Sequence, residues 1–162
     1  MRCPTSRVLA GKDAYLDALK LLARRELSEA QVRQRLTRRG HDEGASDAAV
    51  SRLKQEHAID DDRVAEAIAR TETGLKRRGR IRVRRKIEQA GIAPATARGA
   101  IDTVFGAIDE EILIDAALAR RLREGAWIES DAEFQRLGRY LAGQGFDADQ
   151  IVRTLSARKR RR

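Results

Sequence analysis

Eight of the eleven residues from Lys76 to Lys86 are cationic: Lys76, Arg77, Arg78, Arg80, Arg82, Arg84, Arg85 and Lys86, with no acid before Glu88. The chemistry open to such a run is electrostatic. It neutralises phosphates or acidic side chains, steers association and makes binding fall with salt. A second run, Arg158, Lys159, Arg160, Arg161 and Arg162, ends the sequence. The formal net charge is +9, so both runs sit on a mildly acidic remainder. Exposed helix faces usually mix signs, and eight like charges repel one another. The first run is therefore read as a contact surface for a polyanion, and Arg158, Lys159 and Arg160 as a second candidate contact.

Other chemistry finds little support. Asp60, Asp61 and Asp62 stand together, but acids at a helix start satisfy free N–H groups and the helix dipole, and that reading is preferred to a metal site. The histidines are His41 and His57; His57, near Glu56 and Asp60, reads as a helix-dipole partner rather than a base. Cys3 is the single cysteine. It cannot form an internal disulfide, which suits a reducing compartment. No phosphate-binding loop or metal-ligand pair is present. The expectation is no catalytic residue, no metal and no cofactor. Trp127, Phe134 and Tyr140 read as core rather than as a base-stacking platform.

The elements that would position the charge are helical throughout. Residues 1–12 read as a loose arm. The first helix opens at Asp13, buries Leu16, Leu19, Leu22 and Ala23, and ends near Glu26. Ser28 caps the second, with Val32 and Leu36 inward and Gly40 as its stop. A third runs from about Ala45 to Glu56. The fourth follows the three aspartates with Val64, Ile68, Thr71 and Leu75 at helical spacing. The fifth covers Arg80 to Ala90 with Val83 and Ile87 inward. Pro94 suits the first turn of the sixth. Asp109 opens the seventh, with Ile112, Leu113, Ala116 and Leu122 as its stripe. Ser130 or Asp131 caps the eighth, and Asp147 the ninth, which carries Ile151, Val152 and Leu155. The basic end is expected to be disordered, since its charges repel and nothing apolar anchors it.

A repeat organises these helices. Aligned on Gly40, Gly91 and Gly145, the chain places Val32, Val83 or Leu137 eight residues before each glycine and Leu36, Ile87 or Leu141 four before. His41, Ile92 or Phe146 comes one after, and Val50, Ile101 or Leu155 ten after. The stripe packs inward, the glycine turns the chain, and the next residue plugs the turn. The predicted fold is all-α: three tandem three-helix repeats, nine helices, in an elongated array open to curvature. The units would be 13–58, 59–107 and 108–156, with the tail at 157–162.

At these positions the chain resembles the RecX regulatory proteins of bacteria, from about Ala14 to Leu155. The segments that carry the likeness are LLARRELSEAQVRQRL before Gly40, the acidic junction Ile59 to Ala67, GRIRVRRKIEQAGI from Gly79 to Ile92, and GRYLAGQGFDADQI from Gly138 to Ile151. Arg80, Val64 and His41 depart from the residues that family often has there. The resemblance implies a non-enzymatic modulator, usually an inhibitor, of the RecA recombinase, acting in the groove of the RecA–DNA filament in recombination and the SOS response. The implied partners are the filament and the DNA within it, with no membrane and with the chain a monomer in the cytoplasm. No run in the sequence approaches the ~20 apolar residues of a membrane span, and the N-terminus shows no signal peptide.

The rival reading is direct DNA binding by helix-turn-helix-like units, with the fifth helix as the reading helix. Such helices usually offer Asn, Gln or Ser beside Arg, and here Gln89 alone qualifies. On a wheel of about 100° per residue, Val83 and Ile87 define the buried side of that helix. Arg80 and Arg84 then fall on one flank, Arg82 and Lys86 on the other, and Arg85 points away.

Overall fold

The computed structural model describes residues 13–123 and 125–159. The arm at 1–12, Arg160, Arg161 and Arg162 lie outside them. The described residues form nine helices: α1 (Ala14–Leu22), α2 (Glu29–Arg38), α3 (Glu43–Gln55), α4 (Asp61–Gly74), α5 (Arg80–Glu88), α6 (Pro94–Gly106), α7 (Glu110–Leu118), α8 (Asp131–Gln144) and α9 (Ala148–Ala157). They contain no named strand; Ile128 and Lys159 form one isolated parallel bridge.

The helix starts follow from short polar side chains. Asp13 accepts the Tyr15 and Leu16 amides, Ser28 that of Gln31, and Asp42 that of Ala45. Asp109, Ser130 and Asp147 do the same for α7, α8 and α9. Each such cap contributes about 1 kcal/mol relative to alanine. Pro94 occupies the first turn of α6. The three glycines of the repeat all take positive φ: +87° at Gly40, +78° at Gly91 and +89° at Gly145. His41 donates its amide to the Leu36 carbonyl at 3.2 Å, and Phe146 donates to Leu141 at 3.3 Å. These are the return bonds of a glycine-terminated helix, which fold the residue after the glycine back over the last turn.

The chain divides into two compact units, residues 1–60 and 61–162. In the first, Ala18, Leu21, Leu27, Val32, Leu36, Val50 and Leu53 form the core. His41 is buried in place of the usual apolar plug, and its Nε2 lies 3.1 Å from Asp17 Oδ2. That bond holds the Asp17 carboxyl below its ordinary range. In the second unit, α4 to α9 share one continuous core around Ile87, Ile114, Leu118, Leu137, Leu141 and Leu155. All twelve apolar or plug positions aligned on the glycines are buried.

Several faces differ from those expected of the sequence. α1 ends at Leu22 and buries Ala14, Ala18 and Leu21, while Leu16 is exposed. α4 turns Val64, Ala65, Ala69 and Thr73 inward and leaves Leu75 outside. Ile112 of α7 and Val152 of α9 are exposed. Each of these helices is apolar on more than one side, and the neighbouring helices decide which side is covered. Trp127 is exposed rather than core, whereas Phe134 and Tyr140 pack against the core edge.

Candidate functional site

The basic stretch begins where α4 ends. Arg77 takes a left-handed φ of 56°, and the Arg78 amide reaches back to the Glu72 carbonyl at 3.1 Å. Glu72 is itself buried beneath this turn. It accepts Lys76 Nζ at 2.7 Å and also pairs with the Arg78 guanidinium. Burial pushes the Glu72 carboxyl up, but the hydrogen bonds and charges of Lys76 and Arg78 outweigh it and hold the group below the usual carboxylate range. Sequence reasoning misses Glu72; its place four residues before Lys76 is the available signal.

α5 has a glycine at its N-cap, with no side chain to satisfy its first amides. The C-terminal end of α8 supplies the acceptors. Gly79 donates to the Gln144 carbonyl at 3.0 Å and Ile81 to the Gly145 carbonyl at 3.1 Å. Free carbonyls at one helix end thus satisfy free amides at another, and the negative end of α8 faces the positive end of α5. The approach is so close that a methyl group on Gly79 would lie 2.6 Å from the Phe146 nitrogen. The Arg82 guanidinium adds a bond to the Gly143 carbonyl.

With Val83 and Ile87 fully buried, this junction fixes where the α5 cations point. Arg80 turns to α6 and α7. Its Nε is 2.8 Å from Glu110, its Nη1 is 3.3 Å from Asp102, and the guanidinium stacks over Phe105 at 4.7 Å. Arg84 lies on the same flank, 3.9 Å from Glu88. On the other flank Arg82, Arg85 and Lys86 line an open groove of about 760 Å³, together with Lys76 and Arg78. Its far wall is the α8–α9 turn, built from Ala142, Gly143 and Gly145 over Phe146 and Ile151. Asp147 is the single acid in the described lining, and its carboxylate is occupied by the Asp149 amide.

Of the eight cations in the stretch, then, five meet in one groove, and Arg77, Arg80 and Arg84 do not. Arg82, Arg85 and Lys86 have no carboxylate within ion-pair distance among the described residues, so their charge is uncompensated. Arg158 and Lys159 lie elsewhere. Contrary to the expected disordered end, both are anchored: Arg158 pairs with Asp115 at 2.8 Å, Lys159 with Asp131 at 2.6 Å, and the Arg158 carbonyl accepts the Ile128 amide at 2.8 Å. Arg160 is outside the described residues. No group of His, Cys, Asp or Glu among the described residues is placed to hold a metal ion. No described helix is long and apolar enough to cross a membrane.

Fold and groove together define a class, the all-α proteins of successive three-helix elements that present a cationic face. Residues 14–53 match the first three-helix domain of RecX. The chain is 35% identical over 144 residues to the regulatory protein RecX of Halorhodospira halophila, covering 88% of this chain and 86% of that protein. A crystal structure of regulatory protein RecX superposes with a TM-score of 0.75 at 21% identity, over 89% of this chain and 70% of that one. The crystal structure of RecX from Lactobacillus salivarius gives 0.73 at 19% identity, over 89% and 93%. The chain belongs to the RecX family of regulatory proteins.

Proposed function

We propose that this chain is a non-enzymatic cytoplasmic regulator that binds the RecA–DNA filament and restrains it, with the groove between α5 and the α8–α9 turn as its contact. The observation that carries the reading is the convergence of Arg82, Arg85 and Lys86, none offset by a carboxylate, on a wall facing small residues. Cations on one side supply attraction to phosphates or to an acidic protein surface. Glycine and alanine on the other let a backbone come close. The division into three sequence repeats, 13–58, 59–107 and 108–156, is part of this proposal: within the one compact unit 61–162, the groove would take one wall from the second repeat and the other from the third.

The test is RecA-promoted ATP hydrolysis and strand exchange with substoichiometric protein, run beside binding to naked DNA. The expected result is suppression of both RecA activities with weak, sequence-independent binding to DNA alone. Unchanged RecA activity with tight, sequence-specific duplex binding would overturn the reading in favour of a direct DNA-binding protein.

A further inference from the structure

Gly143 lies in the last turn of α8, in the wall that faces the α5 cations. Glycine inside a helix is less stable than alanine, because it loses more backbone freedom on folding. A fold has two reasons to keep a glycine there: a backbone angle that other residues avoid, or a neighbour too close for a side chain. Gly145, two residues on, has both, with a φ of +89° and Arg82 where its Cβ would stand. Gly143 has neither. Its backbone is ordinary α-helix, and a Cβ built on it meets no atom within 4 Å.

What stands opposite Gly143 is charge. The Arg82 guanidinium donates to the Gly143 carbonyl and keeps further donors for a ligand. Arg85 and Lys86 line the same groove, with no carboxylate within ion-pair distance among the described residues. Ala142 and Ala148 belong to the same wall and are exposed, so the surface beside Gly143 ends in methyl groups. A longer side chain at 143 would start next to the Arg82 guanidinium and fill room that these cations face. The bond from Arg82 runs to the backbone, so a substitution at 143 leaves it in place.

We infer that Gly143 is a specificity-determining residue of the α5 groove: its missing side chain sets how closely a bound anionic strand approaches Arg82, Arg85 and Lys86. The inference rests on the groove being the filament contact proposed above. Attraction between charges falls with separation and is screened where water and salt come between them. A side chain standing in the groove would hold the ligand off and leave the cations solvated. Open space at a helical glycine is not by itself a mark of function. Gly99, inside α6, also has no atom within 4 Å of its Cβ position. It lies outside the groove lining, which makes it the control.

The experiment compares the full chain with Gly143→Gln, Gly143→Ala, Gly99→Gln and the glutamine variant of Arg82, Arg85 and Lys86. Binding to the RecA filament formed on fluorescein-labelled oligothymidylate is read by anisotropy across a range of salt, beside the Tm of each chain. Glutamine is a good helix former, so Gly143→Gln and Gly99→Gln should both melt at or above the parent. Gly143→Gln should bind about tenfold more weakly, the scale of a central interface contact, with a flatter dependence on salt. Gly99→Gln should bind as the parent does, and Gly143→Ala should fall between, since the loss follows the size of the side chain. The inference is overturned by parent-like binding of Gly143→Gln, by an equal loss at Gly99→Gln, or by a lowered Tm of Gly143→Gln, which would give the glycine a place in the fold. If the triple variant weakens binding and Gly143→Gln does not, the groove stands and the role of Gly143 falls; if neither weakens it, both fall.

Discussion

Gly79 and Gly145 meet backbone to backbone, and neither has room for a side chain. A methyl group on Gly145 would lie 2.5 Å from Arg82 Cβ, and one on Gly79 would strike the Gly145 carbonyl. The two glycines nevertheless differ in kind. Gly145 also needs its left-handed φ of +89°, whereas Gly79 has an ordinary φ of −79°. Its requirement is proximity alone.

Gly40 supplies the comparison, since it has φ +87° and open space where a Cβ would stand, with no atom within 4 Å. Gly40→Ala should cost roughly 1–2 kcal/mol, the conformational penalty of a left-handed residue. Gly145→Ala carries that penalty and the collision, and should cost clearly more in urea unfolding. Gly79→Ala should also exceed Gly40→Ala despite its permitted φ. Equal losses at Gly40 and Gly79 would mean that the α5–α8 junction opens without cost.

The second prediction concerns Glu72, whose side chain is 3% exposed. Its folded-state pKa is lowered, so its stabilising effect is present above the unfolded range near 4.5 and fades as pH falls through the folded value. Glu72→Gln should therefore destabilise the chain at neutral pH by about 1.5–3 kcal/mol, the scale of hydrogen bonds to charged groups. The gap between variant and parent should close as the pH is taken below the ordinary carboxylate range. Thermal melts across that range measure it; a gap independent of pH would remove the ion pair from the account.

The third prediction is for the groove itself. Replacing Arg82, Arg85 and Lys86 with glutamine leaves Val83 and Ile87 in place, so the helix content should not change. Binding to the RecA–DNA filament should weaken. The slope of log affinity against log salt should flatten by roughly 2–3, near 0.7–0.9 for each phosphate that is no longer neutralised. The same replacement at Arg80 and Arg84, which face Glu110, Asp102 and Glu88, should alter the slope less. Equal effects from both sets would mean that overall charge, not the groove, is what binds.

What the sequence disclosed and what it hid have separate physical causes. The three glycines were legible because a helix that ends in a left-handed residue demands glycine at one place and apolar residues at fixed distances around it. The α5 wheel was legible for the same reason: two aliphatic residues among cations leave one choice of inner face. Leu16, Leu75 and Ile112 were misplaced because their helices are apolar on two sides. The sequence pattern does not say which side a neighbour will cover. The groove was hidden because its decisive contact joins backbone atoms of Gly79 and Gly145, sixty-six residues apart, with no side chain to mark it. Trp127 reads as core from the sequence because aromatic residues are ordinarily buried; in the structure its neighbour Ile128 takes the buried place and Trp127 is exposed.

The last prediction separates the inner and outer faces of the second unit. Leu141 is fully buried in the shared core, and Ile112 is 68% exposed. Leu141→Ala removes aliphatic volume that tightly packed neighbours cannot refill, and should cost roughly 2–5 kcal/mol. Ile112→Ala removes a comparable side chain from water-facing surface and should change stability by no more than about 0.5 kcal/mol. Urea unfolding of the two variants beside the parent measures both. A large loss at Ile112 would show that α7 is covered in solution, and a small loss at Leu141 would show that α8 does not anchor the core. The second result would also dismantle the groove, because the α8 end that caps α5 follows directly on Leu141, whose carbonyl accepts the Phe146 amide.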